Sequence, residues 1–378
     1  MKLKKIDLPQ QPKTYQDGIN LYSLINFKDF FAPLFATGDI KSVCEIGVEV
    51  GSFTQWLADQ AKLTGFKYYG VDPQVGAATQ KLCPELDFIS KKSTDYLADH
   101  HVANHDVYFI DGDHNFYTVY NELQLIFSNP LQAQKICFLH DIGWPCGRRD
   151  WYYNINDIPA AARHEHTHDG RITLGESALS PFGFETCGRA ALALHEGGAN
   201  NGVLTAIEKF IETHADGRAI TFIKIPIFYG LGILYDKNQI SARAARYLQD
   251  LAKYAKENYN IFSQFELNRL SLYLRIITLQ QQQVGANAEF DKKLAALTHE
   301  MDAAQITVAD TVKSKQALEK IEKNSQRNRA LDVLQKRHNS HCQYKRHYSV
   351  AIEHALNVLQ LMYRRWRRRQ HDHVLRNL

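Results

Sequence analysis

The chain has 378 residues, 44% hydrophobic and 23% charged, with 45 Lys and Arg against 41 Asp and Glu. That is ample for a buried core and unlike a disordered or collagen-like chain. Six cysteines without a CxxC pair argue against a disulfide-dense secreted scaffold or a zinc-ribbon array, and fit reduced thiols in cytosol.

The N-terminus MKLKKIDLPQQPK is charged but has no apolar run behind it, and the longest apolar stretch, Ile220 to Tyr235, is broken by Lys224 and Pro226. Neither a signal peptide nor a membrane span is expected. The net charge of +4 is uneven: residues 1–236 hold 20 basic and 28 acidic side chains, and residues 237–378 hold 25 and 13. All 10 prolines and every glycine except Gly285 precede residue 237, so two differently built parts share the chain, divided at Asp236.

Residues 1–236 alternate short β-branched or aromatic runs with amphipathic stretches, the order that gives parallel strands joined by crossover helices. KSVCEIGV is the first strand; Gly47 and Gly51 then punctuate a turn, and SFTQWLADQAKL is a helix that Ser52 could cap. KYYGVD, LDFIS, DVYFID and KICFLHD follow as strands, with a helix through NFYTVYNELQLIF. After a long segment at 143–201 come the helix NGVLTAIEKFIETH and two strands around Pro226 and Gly230, an antiparallel pair added to a parallel sheet. The expected fold is a doubly wound, mostly parallel, seven-stranded α/β sheet followed by a helical extension. In that extension two amphipathic helices are expected to either side of 258–264, then a loose 3-4 apolar spacing from Asp291 that falls short of a firm coiled coil.

Chemistry-bearing residues gather at predicted strand ends, where open α/β sheets bind ligands. Glu45-Ile46-Gly47-Val48-Glu49-Val50-Gly51 ends the first strand, and Asp72 at the tip of the second is placed to accept hydrogen bonds from a ribose diol. The pattern is ExGxxxG rather than GxGxxG. Its acidic loop favours a positively charged ligand, which points away from a dinucleotide and toward S-adenosylmethionine. The fourth strand ends in Asp111-Gly112-Asp113-His114 and the fifth in His140-Asp141. The bland alternative is that Asp111 and Asp141 only cap the helices or turns after them.

Taken together, CEIGVEVGSFTQWL, YYGVDP, VYFIDGDHNFYTVYNEL and FLHDIGWPCGRRDWYY resemble the successive motifs of class I S-adenosylmethionine-dependent methyltransferases. The group they look most like is the macrocin O-methyltransferase and cephalosporin-type enzymes, with the methyltransferase domains of bacterial glycan pathways. The likeness covers residues 40–236 and is most specific at FIDGDH. By that resemblance Glu45, Gly47 and Gly51 would line the methionine moiety, Asp72 would hold the ribose and Ser93 would lie near the adenine. Asp111 and Asp141 would carry a divalent metal, Mg²⁺ or Mn²⁺, and His114 would be the base for the acceptor hydroxyl. His140 stands where an acid is usual, so a mixed shell of Asp111, His140 and Asp141 also suits Fe²⁺ or Zn²⁺, or no metal.

In the 143–201 segment, read as an acceptor lid, Trp144, Arg148, Arg149 and Tyr152 suit a glycan or sugar-linked acceptor, because aromatics stack on sugar faces and arginines pair with phosphate or carboxylate. Equally, the aromatics could fill a satellite core. His164, His166 and His168 are read as solvated loop histidines rather than a zinc array. The tail after Gln360, YRRWRRR beside an apolar stretch, is read as a helix for anionic membrane, with an oligomerisation stalk or a solvated helix end as alternatives. The functional expectation is a cytoplasmic O-methyltransferase acting on a sugar hydroxyl, homo-oligomeric and peripheral to the inner face of the membrane. A catalytically silent scaffold and an RNA methyltransferase with a basic anchor are the alternatives; the acidic first part makes nucleic acid the less attractive partner.

Overall fold

The structure, a computed structural model, describes residues 22–48, 51–83, 85–130, 134–214 and 220–308. It divides into two compact units, whose described parts are residues 22–270 and 271–308.

The first unit is built on seven strands: β1 (Ser42–Ile46), β2 (Lys67–Val71), β3 (Phe88–Ile89), β4 (Val107–Ile110), β5 (Ile136–Leu139), and, after five short strands of an insert, β11 (Ile220–Ile225) and β12 (Leu231–Asp236). Their order across the sheet is β11-β12-β5-β4-β1-β2-β3. β1 to β5 are parallel, and β12 runs antiparallel to both β5 and β11. The expected mostly parallel sheet with a terminal hairpin is therefore what forms. The central strands VYFI and ICFL are buried at every position, as strands covered on both faces must be.

Two layers cover the sheet. On one face α1 (Lys28–Phe35) and α2 (Ser52–Thr64) bring Phe31, Phe35 and Phe53 onto Phe109 and Phe138, whose rings stack at 5.0 Å, with Trp56 against the first three. On the other face α5 (Phe116–Ser128) and α6 (Val203–Thr213) pack onto the layer of Tyr108, Cys137 and Leu139. Helix α6 buries Val203, Ala206, Ile207 and Phe210, one stripe at helical spacing. Asn115 caps α5 by accepting from the Thr118 N–H at 2.8 Å. Ser52 does not cap α2: Gly51 holds the cap position at φ +77° and Ser52 is the first helical residue. Short helices α3 (Ala77–Leu82) and α4 (Ser93–Leu97) complete the crossovers.

The 143–201 segment is a folded insert with two small antiparallel sheets of its own. β6 (Trp151–Tyr152), β10 (Ala191–Ala193) and β7 (His166–Thr167) form one, and β8 (Arg171–Ile172) with β9 (Phe184–Glu185) the other. Helix α7 (Ala242–Val308) is continuous, where two helices were expected. The polar residues at 258–264 do not interrupt it because their side chains satisfy it locally: Asn258 donates to the Tyr254 carbonyl and Gln264 to Asn268. Its first turns bury Ala244, Leu248, Leu251, Ala255 and Phe262, so the compact unit runs on past Asp236 to Leu270. The second unit is described only as the continuation of α7 to Val308, with an i,i+4 pair between Glu289 and Lys293 on its surface. Among the described residues no helix is long and apolar enough to cross a membrane. The Arg-rich stretch after Gln360 and most of the apolar repeat from Asp291 to Arg337 lie outside the described residues.

Candidate active site

The cradle at the end of β1 requires glycine. Gly47 has φ +89°, and a Cβ there would lie 2.3 Å from the Asp111 carbonyl oxygen. The ends of β1 and β4 are thus in backbone contact, which joins Glu45 and Gly47 to Asp111. Gly51 has φ +77°, and a Cβ would meet the Thr79 methyl at 2.8 Å. Asp72 accepts from the Val48 N–H at 3.0 Å and the Gln74 N–H at 2.7 Å, so the carboxylate after β2 braces the turn after β1. Glu45 is buried and accepts from the Thr54 and Tyr68 hydroxyls. Burial pushes its carboxyl up to about 8 against the pull of those two donors. Ser93 opens α4 beside Glu122, whose carboxyl is wholly buried on the inner face of α5 without a well-formed hydrogen bond. Burial pushes Glu122 up to about 8 too, with Ser93 pulling the other way.

Next to the cradle, the ends of β4 and β5 bring Asp111, His114, His140 and Asp141 together. His114 Nε2 lies 3.1 Å from Asp141 Oδ2 and 3.4 Å from Asp111 Oδ1. His140 Nδ1 lies 3.1 Å from Asp111 Oδ1 and 3.5 Å from Asp141 Oδ2. Asp141 has φ +56°, uncommon for a residue with a side chain, and this turns its carboxylate back toward both imidazoles. His140 Nε2 is 3.0 Å from the Phe228 carbonyl oxygen, an acceptor, so Nε2 carries hydrogen and Nδ1 faces the carboxylates. Burial alone would lower both histidines. Asp141 and Asp111 overcome it at His140, lifting it to about 10, and Asp141 leads the pull that raises His114 well above its usual value. Burial would raise Asp141, but His140, His114 and Arg269 together lower it.

One oxygen of each carboxylate therefore faces both imidazole nitrogens, an arrangement met by hydrogen on those nitrogens or by a metal ion between them. Asp111, His140 and Asp141 offer one ligand atom each, mutually within 4.8 Å. The Nδ1 to carboxylate separations of 3.1 and 3.5 Å are close to the edge, about 3 Å, of an octahedron with ligands about 2.1 Å from its centre. The donor set fits a divalent ion with mixed nitrogen and oxygen preference, such as Mn²⁺, Fe²⁺ or Zn²⁺, more readily than one demanding oxygen alone. Cys146, which reads from the sequence as an ordinary loop thiol, is buried and forms a second such group with His114 and Asp141.

The insert arranges its residues differently from the expected acceptor set. Arg149 is wholly buried and donates to the carbonyls of Ala193 and Ser177. Tyr152 is wholly buried and donates to Asp150. Arg148 forms a two-pronged pair with Glu208 of α6. These three side chains hold the insert to itself and to the sheet unit. Trp144 packs on the main core with its ring near Phe184. Besides Cys146, the insert brings Tyr153 to the cluster, 53% exposed with its ring centre 5.6 Å from that of His114. His164 and His166 turn to separate backbone carbonyls, Asn200 and His164 respectively, and no metal group among the described residues includes them.

A cradle and an ionisable cluster at the carboxyl edge of this strand order mark the place where open α/β sheets bind ligands. Residues 44–142, which run from β1 to just past Asp141, match the family model described as Methyltransferase domain. No curated protein matches the chain. Among solved structures it is similar to the SAH-bound methyltransferase PaMTH1 of Podospora anserina, at 14% identity over 56% of this chain and 76% of that one, with a TM-score of 0.35. It is also similar to an O-methyltransferase of Bacillus cereus in complex with SAH, at 12% identity over 57% and 82%, TM-score 0.33. A third is TomG of Streptomyces achromogenes, an O-methyltransferase in complex with SAM, at 12% identity over 55% and 79%, TM-score 0.33. That family match spans the cradle and the cluster together, from residue 44 to residue 142.

Proposed function

We propose that the chain transfers a methyl group from S-adenosylmethionine to a hydroxyl oxygen, on a sugar of a glycan or glycosylated intermediate. The observation that carries this reading is the contact between Gly47 and Asp111, which sets the cofactor cradle directly against two carboxylates and two imidazoles. Methyl transfer from a sulfonium is an in-line displacement, and a sugar hydroxyl needs its proton removed to take part. A divalent metal held by Asp111, His140 and Asp141 would lower the pKa of that hydroxyl. The chain's own part is to bind, to orient and to accept the proton. Asp141 favours the protonated form of His114; a cation held by the two carboxylates would weaken that pull and leave Nε2 able to take a proton. Tyr153 beside His114 offers an aromatic face for a sugar ring. The alternating acidic and imidazole groups also argue against a silent scaffold, because burying four ionisable groups without use is costly.

The test measures S-adenosylhomocysteine release with nucleotide-linked and lipid-linked sugar acceptors, with and without chelator and added Mn²⁺. His114→Ala and Asp141→Ala are each expected to lower turnover by about 100-fold or more while S-adenosylhomocysteine binding persists. Turnover that survives chelation would remove the metal and, with it, the proposed release of His114 to act as base. Failure to release product with any sugar acceptor removes the sugar.

A further inference from the structure

The group that orients His140 is a backbone carbonyl in an unfavourable turn. Between β11 and β12, Phe228, Tyr229 and Gly230 take φ values of +51°, +66° and +91° in succession. For the first two this is the left-handed region that side chains avoid, so something outside the turn must hold it. Because β12 runs antiparallel to β5, with Gly232 opposite Leu139, the turn lies at the carboxyl end of β5. There the Phe228 carbonyl accepts from His140 Nε2 at 3.0 Å, and the Tyr229 carbonyl accepts from the Gly143 N–H at 2.6 Å. The turn therefore grips the chain on both sides of Asp141.

The rings of Phe228 and Tyr229 rest on Phe27 and Tyr22, but their two peptide N–H groups are held from α7, outside the span of the methyltransferase match. Glu266 accepts from the Phe228 N–H at 3.0 Å and from the Tyr229 N–H at 2.8 Å, one carboxylate oxygen to each. Arg269 donates to the same two oxygens at 2.8 and 2.6 Å, and its guanidinium lies 4.4 Å from the centre of the Tyr229 ring. Both side chains are buried. Docking a helix does not require this, since apolar residues of similar volume serve as well and avoid the desolvation of an ion pair. The specific product of the arrangement is a fixed Phe228 carbonyl.

We propose that Glu266 and Arg269 are positioning residues for the catalytic centre, acting through the Phe228 carbonyl to keep hydrogen on Nε2 of His140 and Nδ1 turned toward Asp111 and Asp141. The inference rests on the reading of that cluster as the place of chemistry, and it makes the first turns of α7 part of the enzyme. Partners of this kind fix the tautomer and ring orientation of ligating histidines, and their loss typically costs about 10- to 100-fold in metal affinity.

The experiment uses the full chain with ¹⁵N-labelled histidine, the His140 signals being identified by their loss in His140→Asn. In the wild type the Nε2–H is expected to exchange slowly with solvent, and the nitrogen shifts to report hydrogen at Nε2. Glu266→Gln offers one acceptor oxygen where two backbone donors and a guanidinium converge. It is expected to speed that exchange at least about tenfold and to weaken Mn²⁺ binding by a similar factor, with S-adenosylhomocysteine affinity unchanged. Glu266→Asp, which reaches only one of the two N–H groups, is the second variant should the first not fold, with the same expected direction. Leu248→Ala loosens the docking of α7 without touching the turn, and is expected to lower the melting temperature while leaving the His140 signals in place. Wild-type His140 signals in Glu266→Gln or Glu266→Asp, or equal disturbance by Leu248→Ala, would overturn the proposal. A wild type that takes up no Mn²⁺ removes the metal from the proposed function and leaves the His140 measurement to decide this one.

Discussion

Gly47 admits only hydrogen at its Cα. Gly47→Ala would drive a methyl into the Asp111 carbonyl, part the ends of β1 and β4, and is expected to weaken S-adenosylhomocysteine binding at least about tenfold by calorimetry. Asp72→Ala removes a charge-assisted acceptor proposed for the ribose. A loss of about 1.5–3 kcal/mol is expected, or roughly 10- to 150-fold in affinity. Asp72→Asn keeps one acceptor oxygen for the Val48 and Gln74 N–H groups and should fall between. Unchanged affinity in the alanine variant would remove Asp72 from the cofactor site. Glu45, Asp72, Asp111, His114, His140 and Asp141 were legible in the sequence because polar residues closing apolar strands collect at one sheet edge. Arg149 and Tyr152 were not, since a sequence does not say whether an arginine will meet a ligand or a carbonyl of its own chain. Their neighbour Asp150, which lies in the FLHDIGWPCGRRDWYY run but is given no role by it, is the residue on which the insert turns.

At the scale of elements, Asp150 ties three together. Wholly buried, it accepts from the Phe116 N–H at the start of α5 and from the Gly202 N–H at the start of α6, each at 2.7 Å, and from the Tyr152 hydroxyl in β6 at 2.9 Å. Asp150→Ala would strand these donors out of reach of water. At about 1–3 kcal/mol for each orphaned group, a loss of at least about 3 kcal/mol is expected, seen as a melting temperature lower by about 6–12 °C. A shift of less than a few degrees would mean that the insert is held by its apolar contacts instead. The strands and most helices were readable from periodicity and turn residues. The continuity of α7 was not, because Asn258 and Gln264 suggest a break only until their own side-chain bonds along the helix are seen. Glu266 did leave a trace, an acid four residues from each of the buried apolar residues Phe262 and Leu270. Glu122 did likewise on the apolar face of α5, between Val119 and Ile126.

Across the whole molecule, Glu45 and Glu122 act with His140 and His114, all held above their ordinary values, to make stability fall as pH rises. Each glutamate is held near 8 in the fold, above the 4.5 of an unburied carboxyl, so between these values the folded state binds more protons than the unfolded one. Their contribution is fully present below about 4.5 and is lost as pH rises through about 8. Melting temperature should accordingly fall from pH 6 to pH 9, and Glu122→Gln should flatten that fall; a curve level over this range would show both carboxyls ionised in the fold. The +12 balance of residues 237–378 supports a separate proposal, an anchor on anionic membrane through Arg364 to Arg369. Truncation after Gln360 should release the protein from anionic vesicles at low salt without changing cofactor affinity. Indifference of the full chain to such vesicles would leave an oligomerisation stalk, read by light scattering. The reach from Asp141 to Glu266 also bears on how the protein is made. A nascent chain that has emerged as far as Asp236 holds every strand of the main sheet, yet the carboxylate that grips Phe228 and Tyr229 is still to be translated. At about 5–20 residues per second, the interval between completing the sheet and delivering residue 266 is on the order of seconds. A sheet formed during those seconds would hold His140 beside a turn whose two N–H groups still lack their carboxylate, so under the positioning proposal competence would wait on residues translated after the last strand.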